Sequence, residues 1–282
     1  MSDIRPVVAR HQARREDIGD LVTRRPAAPP ERLDPFLFIN HHGPQTYPPH
    51  NRGLPFGPHP HRGFETVTFI LEGELAHSDS GGHESVIHAG GVQWMTAGRG
   101  LVHAELSPES FKREGGPLEI LQLWVNLPAR LKLTEPAYRG LEAADIPRVA
   151  AAEGKAVIEL ISGDFGGVKG PVDSIADIAM TVLRLRPGAR LDLPVAPERN
   201  VFLYVVAGAP RVGGTQVAAH EQVELGAGDT VRIEADADAT IIFGHGVPYR
   251  EPIVAHGPFV MNRPEEIVAA IEDYRAGRLG AL

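Results

Sequence analysis

"FGPHPHRGFETVTFILEGE", residues 56–74, sets two histidines, His59 and His61, immediately before a strand-like run. In a β-strand residues i and i+2 point to the same side, so both imidazoles can converge on one point. Pro60 between them donates no ladder hydrogen bond, which suits the first residues of a strand. Continued at the same parity, Glu65, Val67, Phe69 and Leu71 form one face that turns apolar as the run enters a core. A metal site at the mouth of a β-barrel has this form.

A second stretch, "TAGRGLVHAEL" (96–106), places His103 and Glu105 two residues apart after a Gly-rich turn. An H-x-H alone, in a chain with 13 histidines, is ordinarily solvated. Two such pairs, each beside a turn and a strand, supply three imidazoles and one carboxylate. That donor set suits iron, zinc, manganese, nickel or copper, with one or two coordination positions open for chemistry.

The surrounding pattern is β throughout. Short runs, "FLFI" (36–39), "ETVTFILEG" (65–73), "ESVIHAGGVQWM" (84–95) and "LEILQLWVNL" (118–127), are separated by "SDSGG" (78–82) and "TAGRG" (96–100). "TRRPAAPPERLDP" (23–35) is expected as a connection, and the polar stretch 128–155 as a linker. Strands resume at 156–163, 175–185, 201–208, 228–235 and 239–246. The end differs: "NRPEEIVAAIEDYRAG" (262–277) predicts a helix capped by Asn262, with Pro264 early, Ile267, Ile271 and Tyr274 on its apolar side and Gly277 as the stop. With 31 glycines and 25 prolines, the fold class is all-β, a sandwich or jelly roll.

The halves echo each other. Shifted by 135 residues, "ETVTFILEG" falls on "NVFLYVVAG" (200–208), His59 on Pro194 and His61 on Ala196. "LQLWVNLP" (121–128) resembles "IIFGHGVP" (241–248). This predicts a duplicated β-domain, divided into 1–134 and 135–282, whose second copy lacks the imidazoles.

The formal net charge is -8. Residues 1–134 hold 14 Lys+Arg against 15 Asp+Glu, and residues 135–282 hold 14 against 21. An acidic second half argues against direct nucleic-acid binding. Absence of cysteine excludes disulfides, thiolate zinc sites and cysteine nucleophiles, and fits a cytoplasmic location. Neither an apolar leader nor a membrane-length apolar run is found. No catalytic triad, P-loop or dinucleotide fingerprint is found either.

The order PHPHRGFETVTFILEG, VQWMTAGRGLVHAE, LQLWVNLP, EPAY and finally GPFVMN before a helix closely resembles the pirins, a branch of the cupin superfamily. The resemblance runs from "LDPFLF" (33–38) to the C-terminal helix. It implies a bicupin: two jelly-roll barrels facing each other, with metal only in the N-terminal one and a short C-terminal helix. The family's ligands map to His59, His61, His103 and Glu105, and its metal is usually Fe(II). In the broader cupin pattern the glutamate after H-x-H is a ligand. Glu65 is therefore expected to orient an imidazole, with direct ligation as the alternative.

The resemblance implies two functions. One is a quercetin 2,3-dioxygenase-type activity on flavonol-like substrates and O2, with Glu105 as the base at the substrate's 3-hydroxyl. The other is an iron-dependent regulator that binds a transcription factor or metabolic enzyme. A monomer is expected. His41, His42 and His50, in "INHHGPQTYPPHNRG" (39–53), depart from the family pattern and are expected at the surface, or else bordering the pocket. His77, His83 and His88 are expected to be exposed, and His220, His245 and His256 structural. Phe56, Phe69, Trp94, Met95 and Trp124 are candidates to line an apolar mouth, or are simply core.

Overall fold

The structure, a computed structural model, describes residues 2–282. Contacts group the chain into two units, and neither is a single contiguous stretch. One contains 145–249 with the residues up to Arg14 and 26–36; the other contains 37–144 with 15–25 and 250–282. The contact grouping thus differs from a single division at residue 134. The C-terminal helix belongs with the unit that carries the H-x-H pair.

That unit has two antiparallel sheets. In the larger, Phe64–Glu72 lies between Val92–Thr96 and Gly116–Asn126, with Ala137–Leu141, Phe36–Tyr47 and Thr23–Pro26 further out. The smaller sheet runs Phe56–His61, Leu101–Leu106, Glu74–Asp79, Glu84–His88. Phe64–Ile70 is buried at every position, as befits a central strand paired on both sides. Leu75 and Ile87 of the smaller sheet pack with Ile70, Leu118 and Ile120 of the larger.

The other unit repeats the plan. Its larger sheet runs Arg148–Ala151, Ala156–Ser162, Ala179–Leu185, Ala239–Gly246, Asn200–Ala207, Glu221–Leu225, Val7–Arg15. Its smaller sheet runs Ala189–Pro194, Thr230–Ala235, Arg211–Val212, Thr215–Gln216. Leu191, Leu193 and Ile233 from the smaller sheet meet Leu203, Val205 and Ile241 from the larger in one core. The ladders stay open rather than closing into rings, and the architecture is the cupin double sheet.

Several expectations change. "INHHGPQTY" extends the expected strand 36–39 to Phe36–Tyr47, because Thr23–Pro26, expected as connection, pairs with it through Thr23↔His42 and Arg24↔His41. The run 84–95 splits into Glu84–His88 and Val92–Thr96 in different sheets. Gly91 sits at the bend, where a Cβ would approach the Leu141 carbonyl to 2.6 Å. The expected linker contributes two strands, Ala137–Leu141 and Arg148–Ala151; each bonds one neighbour, so polar alternation hid them. In the helix Pro264–Arg275 the N-cap is Arg263, whose backbone N–H donates to Glu266, while the Asn262 amide turns to Glu251 and the Pro252 carbonyl. Ile267 and Ala270 are buried, Ile271 is partly so, and Tyr274 is exposed.

Candidate metal centre

Phe56–His61 pairs with Leu101–Leu106 so that His59 lies directly opposite His103. An irregularity between Phe56 and His59 shifts the register there, and such bulges commonly re-aim side chains. His59 and His61, two apart, then share a face with His103. The Nε2 atoms of His59 and His61 are 3.1 Å apart, and those of His103 and His59 2.9 Å apart. The three rings are the one group of histidine and acidic side chains among the described residues with ligand atoms clustered this closely.

The other ring nitrogens decide what the cluster means. His59 Nδ1 is 2.8 Å from the Gly57 carbonyl and His61 Nδ1 3.2 Å from the Pro258 carbonyl. A carbonyl only accepts, so each Nδ1 carries a proton, and in a neutral ring Nε2 then turns a lone pair inward. Two facing lone pairs cannot hydrogen-bond to each other. Nor is extra protonation favoured: burial first, and then the neighbouring imidazoles, hold His61 and His103 well below the usual histidine range. His103 Nδ1 is buried without a partner, so no hydrogen bond holds a proton there and its Nε2 can turn to the same point. Converging imidazole nitrogens are what a divalent cation requires, so these residues fit a metal ion.

Glu105 stands beside the cluster, with Oε2 3.9 Å from His103 Nε2. Gln122 Nε2 donates to both its oxygens, at 2.9 and 2.7 Å, and the Thr68 hydroxyl donates at 3.2 Å. Trp124 Nε1, which can only donate, bonds Gln122 Oε1 at 3.0 Å and so fixes which end of the amide faces Glu105.

Glu65 is not brought to this cluster. Gly63, at φ +88, turns the chain from the smaller sheet into the larger, so strand parity does not carry across from His61. Thr68 faces the cavity, while Glu65 Oε1 accepts from Trp94 Nε1 and the Thr96 hydroxyl. Its Oε2 is buried without a partner, and burial raises its pKa.

Above the cluster opens a cavity of about 270 Å³. Phe56, Leu54, Ile120 and Trp124 give it apolar walls, and Asn40, His42 and Gln122 a polar side. Phe69, Trp94 and Met95 are buried elsewhere. His41 and His42 are buried rather than superficial: His41 bonds Glu119, and His42 Nδ1 lies 2.9 Å from Thr23 Oγ1. Burial lowers the His42 pKa to about 4. His77 is also buried, stacked on Tyr138 at 4.0 Å and bonded to Asp79; His50, His83 and His88 are exposed. The residues missed from sequence are Asn40, Thr68 and Gln122. Gln122 had one signal, a polar side chain inside the apolar run "LEILQLWVNL".

A cupin double sheet with a three-histidine centre defines the class. The chain matches the pirin family model over residues 19–125 and the pirin C-terminal cupin domain over residues 180–280. It is 41% identical over 280 residues to a pirin-like protein of Caulobacter vibrioides, covering 98% of this chain and 99% of that one. It is 40% identical over 250 residues to a Pseudomonas aeruginosa protein named "Putative quercetin 2,3-dioxygenase", covering 88% of this chain and 87% of that one. The crystal structure of quercetin 2,3-dioxygenase from Acinetobacter baumannii superposes with a TM-score of 0.93 at 32% identity, covering 99% of each chain. The protein belongs to the pirin family. Among the described residues, no helix is long and apolar enough to cross a membrane.

Proposed function

We propose that the protein is a metal-dependent dioxygenase that cleaves flavonol-like substrates with O2, with Fe(II) as its ion. The observation that carries this reading is the convergence of the His59, His61 and His103 Nε2 atoms beside an open, mostly apolar cavity that also holds the Glu105 carboxylate. The names of the relatives agree with it.

In this reading His59, His61 and His103 hold the ion, with Glu105 as the fourth group. When bound, the ion supplies Lewis acidity and a template for substrate and O2. Glu105 accepts the proton of the substrate's 3-hydroxyl, and Gln122 and Thr68 keep its oxygens placed for that transfer. Phe56, Leu54, Ile120 and Trp124 pack against the aromatic rings and exclude water. His42 orients the substrate. The Thr23 hydroxyl donates to the Leu21 carbonyl, so His42 Nδ1–H donates to Thr23 and Nε2 is left to accept from a substrate hydroxyl. O2 is the oxidant: both its atoms enter the product, and one ring carbon leaves as carbon monoxide.

The test is single-turnover chemistry. Protein loaded anaerobically with Fe(II), mixed with quercetin and O2, is expected to consume one O2 and release one CO per flavonol. Absence of CO from iron-, nickel- and manganese-loaded protein alike would sink the enzymatic reading.

A further inference from the structure

The unit containing residues 145–249 encloses a cavity of its own, about 400 Å³, walled by Ile158, Leu160, Phe165, Leu193 and Phe243. Close packing favours filling such space with larger side chains. Here the space is kept, and its polar groups are ordered.

His245 lines it. Arg199 Nε donates to His245 Nδ1 at 2.7 Å. A neutral ring that accepts at Nδ1 carries its proton on Nε2, and that N–H has no protein partner among the described residues. Burial first, and then the Arg199 cation, lower the His245 pKa to about 4, so the ring is neutral. Ser162 and Thr181, also in the wall, spend their hydroxyl protons on the Ile178 and Phe243 carbonyls. Among these three side chains, His245 is the one that offers a free hydrogen-bond donor.

The charges around it select further. Asp177 neutralises Arg199 from 2.6 Å, and the exposed Asp164 carboxylate stands in the cavity wall. Anions are disfavoured at such a mouth. Asp164, the one carboxylate in the lining, is exposed and hydrated, so it offsets little of the cost of desolvating a cation between the apolar walls. A cavity with apolar walls and one oriented polar group is how small-molecule sites are built.

We propose that this cavity is a second binding site, for an uncharged, mostly apolar molecule of one or two rings whose carbonyl oxygen accepts a hydrogen bond from His245 Nε2–H. It is separate from the metal centre and holds no ion.

The test uses 4-fluoroacetophenone as the ketone probe and 1-ethyl-4-fluorobenzene as its isosteric hydrocarbon, titrated by ¹⁹F NMR. Full-length protein is expected to bind the ketone at one saturable site, with Kd below about 5 mM, as suits a fragment-sized ligand. His245→Phe should weaken the ketone about fivefold to tenfold, the effect of one hydrogen bond, and leave the hydrocarbon unchanged. Ala179→Phe should abolish both, because Ala179 lines the cavity and pairs with His245 across the ladder. A His59→Ala/His103→Ala variant should bind both probes as wild type does, which separates this site from the metal cavity. No saturable binding, equal ketone affinity in wild type and His245→Phe, or loss of binding in the His59→Ala/His103→Ala variant overturns the proposal. The hydrocarbon control keeps the test decisive if Ala179→Phe does not fold.

Discussion

The same strand order builds a cup with three clustered histidines and a carboxylate in one unit and a cup with a single histidine in the other. In the first, Thr68 pairs with Gln122 and Thr66 with Trp124; in the second, Leu203 pairs with Phe243 and Val201 with His245. Aligned through "ETVTFILEG" and "NVFLYVVAG", Phe243 therefore stands where Gln122 holds Glu105, and His245 where Trp124 stands. The smaller sheets diverge in the same way. His59 faces His103 in one, while Leu193 faces Val231 inside the core of the other, one residue from the gapless counterpart Pro194. The backbone tolerates either chemistry, so the side chains decide which cup offers ligands for a cation.

The sharpest way to break this comparison is to empty the metal cup. His59→Ala/His103→Ala is expected to bind less than about a tenth of an equivalent of metal by elemental analysis. CO release should fall by at least about a thousandfold, since the remaining groups cannot replace the ion's contribution. Normal turnover without metal would end the claim that the histidines serve it.

Next in size is the reverse transplant. Leu193→His puts an imidazole where Leu193 packs in the core and walls the second cavity, and should cost about 3 kcal/mol in urea unfolding without adding a metal equivalent. Metal uptake by this variant would show that the second cup is nearer to a site than its lining suggests.

Acid probes what both cups share, a histidine whose charged form is disfavoured by burial. His42 and His245 each have a pKa lowered to about 4 in the folded protein, against about 6.5 unfolded. Below pH 6.5 the unfolded chain binds protons that the folded chain refuses, so stability falls as pH drops from about 6.5 toward 4. The expected loss at pH 5 is about 2 kcal/mol per imidazole. Urea midpoints of metal-free wild type and His245→Phe at pH 7 and pH 5 measure it, and the variant should lose less.

The smallest effect refines the three-histidine cup alone. Gln122→Leu keeps the cavity shape, removes the amide that holds Glu105, and should lower kcat/KM by about tenfold with metal content unchanged. An unchanged kcat/KM would show that Thr68 suffices to place the carboxylate.

The H-x-H and H-x-E pairs were legible because strand periodicity alone brings i and i+2 to one side. Glu65 misled for the same reason: parity holds within a strand, and Gly63 ends one strand and starts the next in another sheet. His42 was unreadable because its burial depends on Thr23–Pro26, whose prolines and arginines resemble a linker. Ala137–Leu141 and Arg148–Ala151 were lost the same way, since strands bonded along one edge carry half a hydrophobic pattern. The C-terminal helix was plain in sequence. Its place in the unit with the H-x-H pair was not, because chain order carries no information about which core a distant segment covers.

One contact sets a timetable. The carbonyl that fixes the His61 tautomer belongs to Pro258, 197 residues downstream, in the hairpin Val254–His256/Phe259–Met261. On a ribosome the H-x-H strand emerges long before that hairpin exists, and the whole of 145–249 is made in between. Domains fold as the chain appears, yet the carbonyl that orients His61 is made only after this intervening unit. A chain interrupted before residue 258 would carry the histidines without the carbonyl that orients His61.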